Sequence, residues 1–109
     1  LQVDMAGEPT KHGARVDEVV TLAQATGHLH AARLAGLMIL PPASDDPEHA
    51  RPYFRALRRL RDDLVSRGVD ASLLGDLSMG MSGDFEVAVE EGATLVRVGT
   101  AIFGSRTYV

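Results

Sequence analysis

Four short apolar runs recur along the chain, and each is separated from the next by a segment with the period of a helix. The runs are Leu1 to Met5, Leu34 to Leu40, Leu74 to Met79 and Thr94 to Thr100. The second, LAGLMIL, is almost entirely apolar, as expected of a strand covered on both faces of a parallel sheet. Between the runs, Val16, Val19, Val20 and Ala23 follow helical spacing over Arg15 to Ala25. Phe54, Leu57, Leu60, Leu64 and Val65 do the same over Glu48 to Arg67, and Phe85, Ala88 and Val89 over Asp84 to Glu91. Gly27, Gly68 and Gly92 stand where these helices should stop. The implied order is β-α-β-α-β-α-β with a short ending over Ala101 to Arg106. Such alternation calls for parallel strands joined by crossover helices. It leaves an open doubly wound sheet or a barrel. A complete barrel needs ~250 residues, and 109 residues holding four βα units amount to about half of one.

Composition narrows the function. A 45% hydrophobic and 24% charged chain is ordinary for a single globular domain. The net charge of −4 argues against nucleic acid as a partner. With no cysteine, disulfides, thiolate metal sites and thiol nucleophiles are excluded, which is compatible with a reducing cytosol. No apolar run approaches the ~20 residues of a membrane span. The start, LQVDMAGEP, reads as the interior of a gene product. Arg51, Arg55, Arg58, Arg59 and Arg61 crowd one helix between flanking acids, which points to a solvated face rather than a binding patch.

In a parallel α/β fold, ligands gather just past the C-terminal ends of the strands. The third run leads into Ser78-Met79-Gly80-Met81-Ser82-Gly83. Glycines there let backbone N–H groups approach a ligand, and the following helix start favours an anion. These letters fit a phosphate cradle, and equally a tight turn with a serine cap. The fourth run carries Arg97-Val98-Gly99-Thr100. An arginine in an apolar strand needs a partner, either a buried carboxylate or a ligand. Strand alternation would place Arg97 and Gly99 on one face, with Thr100 offering a hydroxyl and an N–H at the end. Lys11 is the sole lysine, a candidate for covalent attachment or simply an exposed loop residue. His28 and His30 have a spacing that could bind metal, but no third ligand is evident.

The stretch LSMGMSGDFEVAVEEGATLVRVGTAIFGSR, Leu77 to Arg106, is similar almost letter for letter in type to the closing segment of the YggS/PROSC family of pyridoxal-phosphate homeostasis proteins. Gln2-Val3-Asp4 with Glu8, Lys11 and Gly13 resembles that family's mid-chain strand and loop, and Leu34 to Pro41 its next strand. The resemblance implies the C-terminal half, residues 1–109, of a pyridoxal-phosphate-binding TIM-type (β/α)8 barrel like the N-terminal domain of alanine racemases. It implies that Ser78 bonds the cofactor phosphate, that Gly99 and Thr100 hold it through N–H groups and the threonine hydroxyl, and that Arg97 faces the pyridine nitrogen or the phosphate. Met79, Gly80 and Ser82 would line the same rim. An arginine at the ring nitrogen keeps that nitrogen unprotonated and makes the ring a weaker electron sink. That suits an intracellular cofactor carrier or buffer, serving pyridoxal-phosphate-dependent apoenzymes, without catalysis. The competing reading is an amino-acid racemase, which needs a second base. Tyr53 and Tyr108 do not follow strands. The family's Schiff-base lysine, in a stretch resembling V-S-K-T on an early strand, has no counterpart here. A half-barrel with bare sheet edges is expected to self-associate or to need the other half.

Overall fold

The computed structural model describes residues 1–7 and 12–107. Five parallel strand segments form the sheet: β1 (Val3–Asp4), β2 (Ala14–Arg15), β3 (Gly36–Met38), β4 (Asp76–Met81) and β5 (Leu95–Arg97). Four helices accompany them: α1 (Val19–Ala25), α2 (Arg51–Ser66), α3 (Phe85–Glu90) and α4 (Thr100–Phe103). β3, β4 and β5 are neighbours in that order, and β2 pairs with β1. A single parallel bridge between Gln2 and Met38 joins the two groups, with the Met38 N–H donating to the Leu1 carbonyl at 2.8 Å.

The segment β2 lies where the apolar period predicts the first turn of a helix. Gly13 explains the difference. A Cβ at that position would lie 2.6 Å from the Asp4 nitrogen, so only glycine lets the chain come alongside β1. The helix α1 therefore begins four residues later than its spacing predicts, after a 3-10 turn over Val16–Glu18, and Val16 is exposed rather than inward.

The core lies on one side of the sheet. Leu37, Leu77 and Met79 from the strands and Ile39 just past β3 meet Phe54, Leu57 and Leu64 of α2 and Val87 and Ala88 of α3, all buried. Val87, not the expected Val89, is the inward valine of α3; Val89 is exposed. The opposite face, carrying Gly36, Met38, Asp76, Ser78 and Leu95, surrounds an open hollow of about 230 Å³.

The arginine run on α2 does more than face water. Glu91, just past α3, is only 4% exposed. Arg55 pairs with its carboxylate at 2.9 Å, and the Arg58 Nη1 donates to its main-chain carbonyl at 3.1 Å. Arg51 adds a bond to Glu90 at 2.7 Å. Three arginines thus pin α3 to α2, and Arg59 is left exposed. The Arg55 hydrogen bond is the main reason the Glu91 carboxyl sits below its ordinary value, opposed by burial.

β4 and β5 are held together by an irregular register. Ser78 pairs with Leu95 and Met81 with Arg97, so three steps on β4 match two on β5. This bulge falls at Gly80, whose φ is +104°. A Cβ at Gly80 would come within 2.7 Å of the Ala88 Cβ and 3.0 Å of the Phe85 Cα. Thr94 closes the other end, accepting from the Leu77 N–H at 2.8 Å and donating to Asp76 at 3.0 Å.

Two outcomes follow. Gly80→Ala, strained at φ and clashing with α3, should cost about 2 kcal/mol or more, whereas Gly75→Ala, with nothing within 4 Å of its Cβ, should stay within about 0.5 kcal/mol of the parent. Urea unfolding of the two variants measures this, and equal midpoints would refute the bulge argument. Because Glu91 has a lowered folded-state pKa, its stabilisation is present above the ordinary value of 4.5 and is lost as pH falls through the folded value. Glu91→Gln should lower Tm at pH 7 by several degrees and flatten the fall in Tm below pH 4.5; a parallel pair of Tm-against-pH curves would contradict this.

Candidate functional site

The C-terminal ends of β4 and β5 open onto a cleft of about 550 Å³, lined by Met81, Ser82, Gly83, Arg97, Gly99, Thr100, Phe103, Gly104 and Arg106. Four of the seven residues singled out from the sequence meet here: Ser82, Arg97, Gly99 and Thr100. The other three do not line this cleft.

Met79 is fully buried in the core, because its place in β4 turns it toward α2 and α3. Its side chain is not on the rim. Gly80 is buried against α3 and serves the bulge. Ser78 points to the open face of the sheet, beside Met38 and Leu95 rather than in the cleft. The expected turn over Ser78 to Gly83 is in fact strand as far as Met81. The bulge then brings Met81 to the cleft, a residue that alternation alone would not select. Arg106 and Phe103 were also not singled out as site residues, since only the turn after β5 folds them back over the opening.

The turn between β4 and α3 is closed by Asp84, whose carboxylate accepts from the Met81 N–H at 2.7 Å. Ser82 therefore does not cap α3. Its Oγ reaches across to the loop after β5 and accepts from the N–H groups of Gly99 at 3.2 Å and Ala101 at 3.1 Å. Gly99 is the residue before α4 and lies beyond the strand, so it shares the cleft with Arg97 through the loop rather than through strand alternation. A Cβ at Gly99 would meet nothing within 4 Å, so its surface is open. No partner for the Thr100 N–H or hydroxyl is found among the described residues.

Arg97 lies half-buried across the strand ends. Its Nη2 donates to the Ile39 carbonyl, just past β3, at 2.8 Å. Its Nε is buried with no partner among the described residues. Burial lowers the guanidinium pKa, and the nearby Asp84 charge raises it. It remains a cation at neutral pH. Among the described residues no carboxylate bonds to it. A buried donor without a partner among the described residues, the Thr100 donors and the open Gly99 surface together suit a hydrogen-bond-accepting anion.

The remaining candidates fall elsewhere. Lys11 and Tyr108 lie outside the described residues. His28 and His30 lie in and after a 3-10 turn following α1, and no group of three His, Cys, Asp or Glu able to hold a metal occurs among the described residues. No helix among them is long and apolar enough to cross a membrane.

The chain is 49% identical over 108 residues to the pyridoxal phosphate homeostasis protein of Aquifex aeolicus, covering 99% of this chain and 46% of the relative. It is 44% identical to the protein of the same name from Pseudomonas aeruginosa, covering 44% of that relative. The fold superposes on PipY of Synechococcus elongatus, solved with pyridoxal phosphate bound, with a TM-score of 0.82 at 31% identity over 95% of this chain and 47% of PipY. The chain thus spans about half the length of the relatives it matches. The family model of the alanine racemase N-terminal domain matches residues 1–107, and the chain belongs to that family.

Proposed function

We propose that this chain is the C-terminal half of a pyridoxal-phosphate barrel, comprising its last four βα units, and that it binds the phosphate and the ring nitrogen of the cofactor in a carrier or buffer role. The observation that carries the reading is the Arg97 guanidinium, laid across the strand ends, its buried Nε without a partner among the described residues, in the cleft that Thr100 also lines. The half-barrel assignment is supported by helices packed on one face of a parallel sheet and by an uncovered opposite face.

Each residue then has a role. Thr100 offers its N–H and hydroxyl to the phosphate, and Ser82 its hydroxyl proton. Gly99 keeps the approach open. Arg97 donates toward the pyridine nitrogen and, being permanently charged, leaves that nitrogen without a proton. Pyridoxal phosphate supplies an aldehyde for amine capture and a ring that withdraws electrons, weakly when its nitrogen is unprotonated. Ser78, on the open face of the sheet beside Met38 and Leu95, would offer its hydroxyl to the cofactor phosphate.

A non-catalytic role is favoured over a racemase. Tyr53 packs against the core from α2 and cannot serve as a base at the strand ends. The chemistry fits an intracellular, cytoplasmic homeostasis function in which pyridoxal-phosphate-dependent apoenzymes receive the cofactor. The net charge of −4 supports no nucleic-acid role, and no membrane partner is invoked. The exposed β5 edge, with Leu95 at 52% and Phe103 beyond it at 85%, supports self-association or docking of the other barrel half.

Equilibrium dialysis and absorbance titration of the chain with pyridoxal phosphate, followed by borohydride, test this reading. Weak, reversible binding is expected, with no reducible adduct. A stable adduct on Lys11, or turnover of D- or L-alanine, would overturn the carrier assignment. Arg97→Met should weaken pyridoxal phosphate about tenfold, the loss of one charge-assisted hydrogen bond, while changing inorganic phosphate by under about threefold. Equal losses for both ligands would move Arg97 from the ring to the phosphate.

A further inference from the structure

The two outer edges of the sheet are built differently. One is β2, only two residues long and crowded by exposed charge: Arg15 pairs with Asp17 at 2.7 Å and with Glu18 at 3.5 Å. Shortness and charge are the usual means of keeping a sheet edge from pairing with another chain. The other edge is β5, and no described residue pairs with its outer side. It carries apolar side chains on both faces. Leu95 lines the hollow, and Val96 lies toward α3, its Cγ1 3.4 Å from where a Cβ on Gly80 would stand. Val89 of α3 and Ile102 and Phe103 of α4 are also exposed. From Ala93 to Gly104 the one charged residue is Arg97, and its side chain is turned to the Ile39 carbonyl. These five apolar side chains expose on the order of 500 Å², near the top of the range for an apolar patch on a lone soluble chain.

We propose that the β5 edge is the interface of a two-fold homodimer, with β5 of one copy antiparallel to β5 of the other. A second copy is the occupant because the edge complements itself. A two-fold axis brings the same strand together in opposite directions, which is the geometry of an antiparallel ladder, and each copy supplies the same apolar side chains to the seam. With the main chain of β5 added, the buried surface approaches the about 800 Å² per partner of a standard interface. Head-to-tail pairing would instead set β5 against β2, and the exposed Arg15, Asp17 and Glu18 would lie beside Leu95 and Val96. The guarded edge also sets the number of copies. Once the β5 edges have met, only β2 edges face outward, and assembly stops at two. The inference rests on the uncovered β5 edge of the reading above and gives it one partner and one symmetry. Cofactor binding can fail without affecting it.

Sedimentation equilibrium of the chain at micromolar concentration tests this, with a mass of twice 11.6 kDa expected. Leu95→Lys should weaken the dimer at least about tenfold, whereas Leu22→Lys, at an exposed position of α1, should change it by under about twofold. The chain has no cysteine, so Val96→Cys gives each copy a single thiol. A short thiol-reactive cross-linker should join Val96→Cys copies and leave Leu22→Cys copies separate. Far-UV circular dichroism establishes that each variant is folded, and if Leu95→Lys is not, the cross-linking decides. A monomer overturns the proposal. So does a dimer that a folded Leu95→Lys leaves intact, or one that cross-links through Leu22→Cys and not Val96→Cys. Masses that keep growing with concentration would mean open head-to-tail assembly, and would overturn two-fold closure. A monomer that binds pyridoxal phosphate sinks this inference alone; a dimer that does not bind it sinks the carrier reading alone.

Discussion

The pairing of β4 with β5 carries one extra residue, and the direction of every group at the strand ends depends on it. Gly80 absorbs that residue at positive φ, pressed against Ala88 and Phe85. Without the bulge, Met81 would lie on the face of the sheet opposite Ser78, and Arg97 would pair with a different position. With it, Met81 and Arg97 stand side by side at the mouth of the cleft. The turn that follows is then short enough for Ser82 to reach the next loop. A glycine that looks like a ligand contact thus acts through packing. Its lack of a side chain serves the strand and helix, and the cleft benefits indirectly.

Much of this architecture is legible in the residues. The order of strands and helices follows from period, and the stops at Gly68 and Gly92 are where α2 and α3 end, each glycine having positive φ. Phe54, Leu57 and Leu64 are inward as their spacing requires. Arg97 and Thr100 stand out because a charge in an apolar strand and a hydroxyl at its end demand an explanation. What failed is what depends on exact register. The resemblance implies Met79 on the rim, whereas the strand buries its side chain in the core; alternation assumes an uninterrupted ladder and so does not select Met81. It also read Arg97 and Gly99 as strand neighbours, when Gly99 belongs to the turn into α4. The segment Ala14–Arg15 has no strand pattern of its own and pairs only because Gly13 permits close approach to β1. The arginine run looked like a solvated face, because nothing in a linear sequence says that Glu91 will be buried beneath it.

That network and the apolar core divide the work between them. Apolar side chains decide which faces meet, while the arginines around Glu91 decide how α3 sits along α2. A carboxylate that is nearly inaccessible is tolerable only because Arg55 and Arg58 satisfy both its side chain and its backbone. The position of α3 fixes the turn that precedes it, which contains Ser82 and Asp84. Electrostatic pairing on the outside of the fold is in this way connected to donor geometry at the strand ends.

The distances along the chain between bonded partners differ across the cleft. Ser82 reaches residues 17 and 19 positions away, all within β4, α3, β5 and their loops. Arg97 reaches Ile39, which is 58 positions away. Closing the longer loop costs about 1 kcal/mol more entropy than closing the shorter one. The part of the cleft built around Ser82 is therefore a local product of one βαβ unit, able to assemble as soon as that unit folds. The arginine side becomes ordered only once β3 is in place. One end of the binding surface reports on local folding and the other on completion of the sheet.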